Sequence, residues 1–236
     1  MTPVLDGETY TFATRGLYNG MSLMGDHQTG SFWDHVTGEC LHGPLKGRRL
    51  DLEPLRHMRA DQALAQFPDA RIGRSRLPLP FGLAAGLMKV LVRLTRGRFL
   101  PPGFAGSMGA EDPRRPRLEM GLGVWTDSVS RYYPLEVLKA KGGVLFDVID
   151  SSDLLIYLDP VSGTPTPLFA DGQDAEWDGS DLRLEDGAFV RNGRLYDPSG
   201  DELPTEQPLH LFARWYGFSL TFPNCEIYGD AGEGSE

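Results

Sequence analysis

Short apolar runs separated by glycine-centred turns dominate the first third of the chain. Within residues 1–77 these turns include the Thr-Gly pairs at 29–30 and 37–38. Alternation of this kind, closed by turn residues, is typical of a β-meander. A helix is expected after it, from about Leu55 to Gln66, because a proline stands at an allowed first-turn position and another follows the segment.

The rest of the chain divides into two further parts. Residues 118–236 again contain strand-like apolar runs, such as 143–149, that are closed by turn residues. Residues 78–117 differ, since six prolines enclose one long apolar run at 81–94. We therefore predict a β-rich α+β protein with two related β-meander-plus-helix halves, 1–77 and 118–236, that share one core and flank a basic helical insertion.

A weak internal repeat relates the two halves. The segments Pro54–Met58 and Phe67–Ile72 resemble Pro208–Phe212 and Phe222–Ile227, at an offset of 154 to 155 residues. Because Leu209, Phe212, Tyr216 and Leu220 would share one helical face, 209–220 is expected to form an aromatic-rich core helix. The second copy lacks about seventeen residues. In the first copy, the corresponding part contains histidine and cysteine side chains that could bind a metal or take part in catalysis.

Four residues with metal-binding or catalytic side chains lie in that part or just before it: Asp26, His35, Cys40 and His42. If each Thr-Gly pair forms a two-residue hairpin loop, His35 lies opposite Cys40, and His42 falls on the same sheet face. Asp26 then lies opposite Trp33 of the next strand. The predicted meander therefore brings two imidazoles, a thiol and a carboxylate within reach of one another.

This group of side chains admits three interpretations. Zinc or copper prefers nitrogen and sulfur donors, so His35, Cys40 and His42, with Asp26, could form a mononuclear metal site or a haem-contacting patch. Alternatively, Cys40 is the nucleophile of a hydrolase or redox enzyme, its thiolate favoured by His35 or His42. The third interpretation is a half-buried polar sheet face whose groups satisfy one another.

The apolar run of the insertion is expected to form a helix with a basic stripe. Lys89, Arg93 and Arg96 recur at helical spacing on an otherwise hydrophobic cylinder within 81–98. One interpretation is a membrane-associated accessory protein whose helix contacts an anionic membrane or an acidic protein partner. The other is a core helix whose basic stripe faces solvent or acidic neighbours.

Charge is distributed unevenly along the chain. The formal net charge is −10, yet residues 71–117 hold ten basic residues against two acidic ones. The acidic remainder argues against general nucleic-acid binding, because phosphate neutralisation needs a basic surface. The basic insertion leaves contact with an acidic partner or an anionic surface open.

Cysteine content and the amino terminus bear on location. Two cysteines, Cys40 and Cys225, cannot form a disulfide framework, and a single bridge between them is neither required nor excluded. The first residues lack the basic and apolar regions of an export signal, and no apolar run reaches the roughly 18 residues of a spanning helix. We expect a soluble, cytoplasmic protein, or an exported one if a longer precursor exists.

Three motifs follow one another in the first half: Leu-Tyr-Asn at 17–19, Asp-x-Gln-Thr-Gly-Ser-x-Trp at 26–33 and Gly-Pro-Leu-x-Gly at 43–47. This succession resembles a bacterial family, the domain-of-unknown-function family 3179, and residues 118–229 are similar to its downstream half. Members commonly have a Cys-Pro-x-Cys-Gly element upstream of these motifs, and the sequence begins just after the place where it would lie. Either the thiol pair is dispensable here or the natural start is further upstream. Residues 78–117 do not match the family. The resemblance implies an architecture and no mechanism.

Taken together, the residues favour a non-catalytic binding protein that could coordinate a transition metal. A Cys40-dependent enzyme and a membrane-associated accessory protein are the alternatives.

Overall fold

The computed structural model describes residues 1–71, 73, 86, 90, 93–95 and 103–229. Strand is the main regular structure among these residues, as short strands joined by tight turns, and the predicted β-rich α+β class is confirmed. The complete helices in this part of the chain are short: α1 (Ala60–Gln66), α2 (Leu135–Ala140), α3 (Trp215–Thr221) and a 3-10 turn at Ala105–Ser107.

The strands before residue 78 are β1 (Val4–Leu5), β2 (Glu8–Thr9), β3 (Phe12–Tyr18), β4 (Met21–Asp26), β5 (Phe32–Asp34) and β6 (Cys40–His42). Those that follow it are β7 (Met120–Trp125), β8 (Ser130–Pro134), β9 (Val144–Ile149), β10 (Ser152–Leu158), β11 (Pro165–Phe169), β12 (Ala175–Asp178), β13 (Asp181–Leu184), β14 (Phe189–Arg191), β15 (Arg194–Tyr196), β16 (Leu209–Arg214) and β17 (Glu226–Ile227).

These strands form five sheets in the described part of the chain. The first 77 residues contribute the β1–β2 ribbon and a four-stranded meander, β3-β4-β5-β6. The central sheet has the order β16-β7-β8-β17, with the last pair parallel. A three-stranded sheet, β11-β10-β9, and a second four-stranded meander, β12-β13-β14-β15, complete the fold.

The hairpin between β4 and β5 has a longer loop than predicted. The backbone N–H of Asp26 donates to the carbonyl of Ser31 at 3.0 Å, so residues 27–30 form a four-residue loop. Met24 consequently lies opposite Trp33. The predicted two-residue loop, which would place Asp26 opposite Trp33, is therefore wrong.

The hairpin between β5 and β6 differs from its prediction in the same way. The N–H of Asp34 donates to the carbonyl of Glu39 at 2.9 Å, which makes residues 35–38 the loop. Trp33 then lies opposite Cys40. The predicted pairing of His35 with Cys40 is wrong, because His35 belongs to the loop.

An aspartate at the start of each loop explains the longer turns. Oδ1 of Asp26 accepts hydrogen bonds from the backbone N–H groups of Thr29, at 2.5 Å, and Gly30, at 3.1 Å. Oδ1 of Asp34 accepts one from the N–H of Val36 at 2.8 Å. A side chain that captures the loop's own N–H groups starts the turn at the aspartate, two residues earlier than the Thr-Gly pair alone predicts.

The central sheet packs directly against α3. Six residue pairs join β16 to β7 along the full length of both strands. Gly123 of β7 lies under the ring of Phe218 in α3, and a Cβ at this position would overlap that ring. Glycine is therefore required here by close approach of an aromatic side chain to the sheet.

One hydrophobic cluster joins the two parts of the chain. It contains the buried side chains of Tyr132, Trp215 and Phe218, and Val36 of the β5–β6 loop belongs to it as well. Leu52 packs against the same cluster. The first meander is thus attached to the central sheet through its loop and through the segment that follows β6.

Both predicted helices are shorter in the structure. The helix expected from Leu55 begins at Ala60, and the segment 209–214 is strand β16 rather than the start of a helix. A helical spacing of apolar residues over so short a segment does not outweigh pairing with the free edge of β7. The prediction of one helix over 209–220 is therefore wrong for its first half.

The two helices nevertheless end alike. Both α1 and α3 have seven residues, and their C-caps, Phe67 and Phe222, have φ of −127° and −121°. The segments before them differ, since β16 precedes α3 and no strand precedes α1 directly. The repeat of whole halves, and the division into 1–77, 78–117 and 118–236, stay predictions.

Two arginines shortly before β7 pair with carboxylates close to them in the sequence. Arg114 contacts Asp112 at 2.7 Å, and Arg115 contacts Glu119 at 2.7 Å. Part of the positive charge of residues 71–117 is therefore balanced by carboxylates nearby in the sequence. No described helix is long and apolar enough to cross a membrane.

Candidate functional site

Asp26 organises the loop between β4 and β5. Its carboxylate accepts hydrogen bonds from the hydroxyl of Thr29 at 2.9 Å and from the indole Nε1 of Trp33 at 2.8 Å, besides the two backbone donors of the loop. Asp26 and Trp33 are both buried. The carboxylate is therefore satisfied entirely by its own hairpin.

The ionised form of Asp26 is stabilised in place. Burial acts to raise the pKa of this carboxyl, but the hydrogen bonds from Trp33, Thr29 and Gly30 outweigh it, and the pKa is lowered. Gln28 of the same loop accepts from the N–H of Thr11 at 3.1 Å. The residues of the Asp-x-Gln-Thr-Gly-Ser-x-Trp motif thus build a loop rather than line an open site.

Cys40 lies inside this hairpin and not at a surface. Its thiol is within 3.5 Å of the carbonyl oxygen of His42, to which it donates. Burial raises the pKa of the thiol, against the opposing effect of the Ser31 hydroxyl. A buried thiol with a raised pKa is a poor nucleophile, so the geometry gives no support to a Cys40-dependent enzyme. The second free cysteine, Cys225, is also buried.

The two imidazoles point to different partners. Nδ1 of His35 lies 2.7 Å from the carbonyl oxygen of Ser22. His42 is exposed and stacks on Phe32, with ring centroids 6.2 Å apart. His35, Cys40, His42 and Asp26 therefore have separate partners. Within residues 1–71, 103–229 and the other described positions, no group of three or more His, Cys, Asp or Glu could hold a metal ion, so zinc or copper has no geometric support here.

The basic stripe expected within 81–98 is described only in part. Lys89 and Arg96 lie outside the described residues. Arg93 is helical and exposed. Contact of this stripe with an anionic membrane or an acidic partner stays a prediction.

A cavity of about 250 Å³ lies where the first meander meets the central sheet. We call it the seam cavity, and its lining comprises Thr37, Arg49, Leu52, residues 125–130, Leu209 and Phe222. Trp125, Leu52, Leu209 and Phe222 belong to or pack against the hydrophobic cluster around α3. The cavity therefore has an apolar floor, and it is smaller than the roughly 300–1,000 Å³ typical for drug-sized ligands.

A stiff turn forms one wall of the seam cavity. In the β7–β8 turn, the N–H of Thr126 donates to the carbonyl of Val129 at 2.8 Å. The hydroxyl of Thr126 accepts from the N–H groups of Ser128, at 3.3 Å, and Val129, at 3.1 Å. These bonds fix the turn backbone and leave the side chain of Asp127 at its exposed tip.

Arg49 also lines the seam cavity, and its backbone is held in place by neighbouring residues. It bridges Glu39 in an antiparallel pairing, and the N–H of the next residue, Leu50, donates to the carbonyl of Gly38 at 2.9 Å. Leu50 is almost fully buried at 1% exposure. The segment is thus anchored while the guanidinium stays exposed.

The two charged side chains of the seam cavity have no partner among the residues that the structure describes. Neither Arg49 nor Asp127 makes a hydrogen bond or an ion pair with any residue that the structure describes. The neighbouring Arg48, in contrast, pairs with Asp6 at 2.6 Å. One cavity therefore contains an available positive group, an available negative group and an apolar floor.

Sequence reasoning missed this site. Arg49 and Asp127 belong to none of the motifs, and 78 positions separate them. The only local signal is the polar Thr-Asp-Ser run at 126–128, which predicts a turn and no ligand. Their approach depends on the packing of the first meander against the central sheet, which no local pattern encodes.

Comparison with known proteins agrees with the resemblance stated from the sequence. Residues 2–78 match the model of a family described as "Protein of unknown function (DUF3179)". The matched region contains β1 to β6 and α1, and it supplies Thr37, Arg49 and Leu52 of the seam cavity. No curated protein and no solved structure matches the chain.

Proposed function

We propose that this protein, whose residues 2–78 match the DUF3179 family model, is a binding protein that binds a small zwitterion in the seam cavity. The ligand class is that of a free amino acid with an apolar side chain. The observation on which this depends is the presence of unpaired Arg49 and Asp127 at one small cavity with an apolar floor.

Charge complementarity selects the ligand class. The guanidinium of Arg49 presents donors that suit a carboxylate, and Asp127 presents an acceptor that suits an ammonium group. A ligand with only one charge leaves the other protein group unpaired, whereas a zwitterion engages both. The aliphatic or aromatic side chain of the ligand would then cover Trp125 and Phe222.

Binding, rather than catalysis, is the activity that this lining supports. The seam cavity is lined by no histidine, cysteine or lysine of the described residues. Asp127 is its one carboxylate, and a single carboxylate beside hydroxyl groups lacks the partner that an acid–base or nucleophilic mechanism requires. Both thiols are buried elsewhere.

Isothermal titration calorimetry with L-leucine and L-phenylalanine tests the proposal. We expect saturable 1:1 binding to the wild type, and a loss of affinity of about tenfold or more in Arg49→Gln and in Asp127→Asn, since each removes one charge-assisted contact.

Arg48→Gln is the matched control, because Arg48 is adjacent in sequence and already pairs with Asp6. It should retain wild-type affinity. Thermal unfolding of each variant shows whether the fold is intact. Absence of binding to the folded wild type, or equal affinity in all three variants, would contradict the proposal.

A further inference from the structure

A second cavity, of about 320 Å³, lies between α1, the three-stranded sheet and the second meander. We call it the meander cavity. It shares no lining residue with the seam cavity, and the lining residues that matter here are Gln62, Tyr157, Asp159, Trp177, Ser180 and Asn192.

Two aromatic rings form the apolar part of the meander cavity. Tyr157 is buried, and its ring meets that of Trp177 edge to face, with centroids 5.9 Å apart and an interplanar angle of 71°. Trp33, Trp125 and Trp215 are each at most 9% exposed, whereas Trp177 is half-buried. Trp177 is thus the tryptophan whose ring a ligand can reach most freely.

The charged groups Asp159 and Arg56 near this cavity already make hydrogen bonds within the protein. Asp159 accepts from the backbone N–H groups of Val161, at 2.9 Å, and Ser162, at 2.6 Å, and from the side-chain amide of Gln62 at 3.2 Å. These bonds close the turn after β10. The guanidinium of Arg56 donates to the carbonyl of Asn192 at 2.5 Å.

Neutral polar groups remain available at the rim. The indole N–H of Trp177 and the side-chain amide of Asn192 make no hydrogen bond with the described part of the chain. The hydroxyl of Ser180 has only a long contact, 3.4 Å, to Asp181. The backbone of Asn192 is fixed in the turn between β14 and β15, where its φ is 53°.

We infer that the meander cavity is a second binding site, for one ring of a neutral saccharide. The partly exposed ring of Trp177 can accommodate the apolar face of a sugar ring. The side-chain amide of Asn192, the hydroxyl of Ser180 and the indole N–H of Trp177 match the hydroxyl groups of the sugar. A charged ligand gains no comparable partner here, because Asp159 and Arg56 are committed to the protein. This site does not depend on the function proposed for the seam cavity.

The test is a titration followed through the indole ¹H–¹⁵N signals, with D-glucose, D-galactose and N-acetylglucosamine as neutral probes. D-glucuronate and choline serve as the anionic and cationic probes. We expect at least one neutral sugar to shift the Trp177 signal selectively, with weaker binding of both charged probes.

Two variants and a control separate the site from the fold. Trp177→Leu and Asn192→Gly should each lower sugar affinity by about fivefold or more. Asp150→Gly is the control, because Asp150 also occupies a turn with positive φ, 51°, and lies outside the cavity lining. The inference is overturned if no neutral sugar binds, if a charged probe binds more tightly, or if folded Trp177→Leu keeps the wild-type affinity.

Discussion

The indole N–H of Trp33 donates a 2.8 Å hydrogen bond to the carboxylate of Asp26, and both residues are buried within one hairpin. This bond joins the first and last residues of the motif by which the family resemblance is identified. The motif therefore specifies a loop structure. None of the motif residues 26–33 lines the seam cavity or the meander cavity.

Replacement of Asp26 should destabilise the fold strongly. Asp26→Ala leaves the buried Trp33 N–H and the loop N–H groups without an acceptor, so we expect the free energy of unfolding to fall by about 3 kcal/mol. Urea denaturation measures the change. Asp153→Ala is a suitable control, since Asp153 is exposed and its change should stay within about 0.5 kcal/mol. Equal stability of the two variants would contradict the role given to Asp26.

Neither thiol should react in the folded protein. Burial raises the pKa of Cys225 to about 11 and also raises the pKa of Cys40. At pH 8 we expect iodoacetamide to leave both residues unmodified, and to alkylate both in urea. Mass spectrometry after digestion gives the extent of modification. Rapid native labelling of Cys40 would restore the hypothesis of a reactive thiol.

Protonation of His210 should lower the free energy of unfolding when the pH is lowered slightly. This residue is 6% exposed, and burial lowers the pKa of its imidazole despite hydrogen bonds to the backbone of Pro208 and Leu55. Because the pKa of His210 is lower in the folded protein than its ordinary value of 6.5, folding favours the neutral imidazole. The contribution of His210 to the free energy of unfolding is therefore complete above pH 6.5 and is lost as the pH falls below that value.

The pH dependence can be assigned by comparing unfolding free energies at pH 7.5 and pH 5.5. We expect the wild type to lose stability over this interval, and His210→Gln to lose clearly less. An identical dependence in both proteins would show that His210 is not the group responsible.

Close packing at Gly123 should make that position intolerant of a side chain. In Gly123→Ala the added methyl group overlaps Phe218 of α3, and we expect a destabilisation of about 1–3 kcal/mol. Gly16→Ala is the matched control, because a Cβ at Gly16 meets nothing within 4 Å. Thermal unfolding of the two variants side by side measures the difference, and a neutral Gly123→Ala would contradict the packing of α3 on β7.

The local sequence pattern predicted where strands lie, but not which residues of neighbouring strands pair. The apolar run predicted as a strand at 143–149 is β9, bounded by turns as expected. The Thr-Gly pair at 37–38 does lie in a turn, but Asp34 captures loop N–H groups and begins that turn earlier. The face expected to unite His35 with Cys40 is lost for this reason.

The candidate site lay beyond any sequence pattern. The seam cavity depends on Val36 entering the cluster around Trp215, which brings Arg49 near the β7–β8 turn. Such long-range packing is a property of the folded chain. The structure gives the metal-site hypothesis no support, because that hypothesis paired His35 with Cys40, whereas Trp33 lies opposite Cys40 in the structure.

The most direct measurement of the central claim compares leucine, leucinamide and N-acetylleucine on wild-type protein and on Arg49→Gln and Asp127→Asn. Leucinamide lacks the carboxylate and N-acetylleucine lacks the ammonium group. We expect Arg49→Gln to weaken leucine but not leucinamide, and Asp127→Asn to weaken leucine but not N-acetylleucine. Equal losses for all three ligands in both variants, or no binding of leucine to the wild type, would contradict a zwitterion site at the seam cavity.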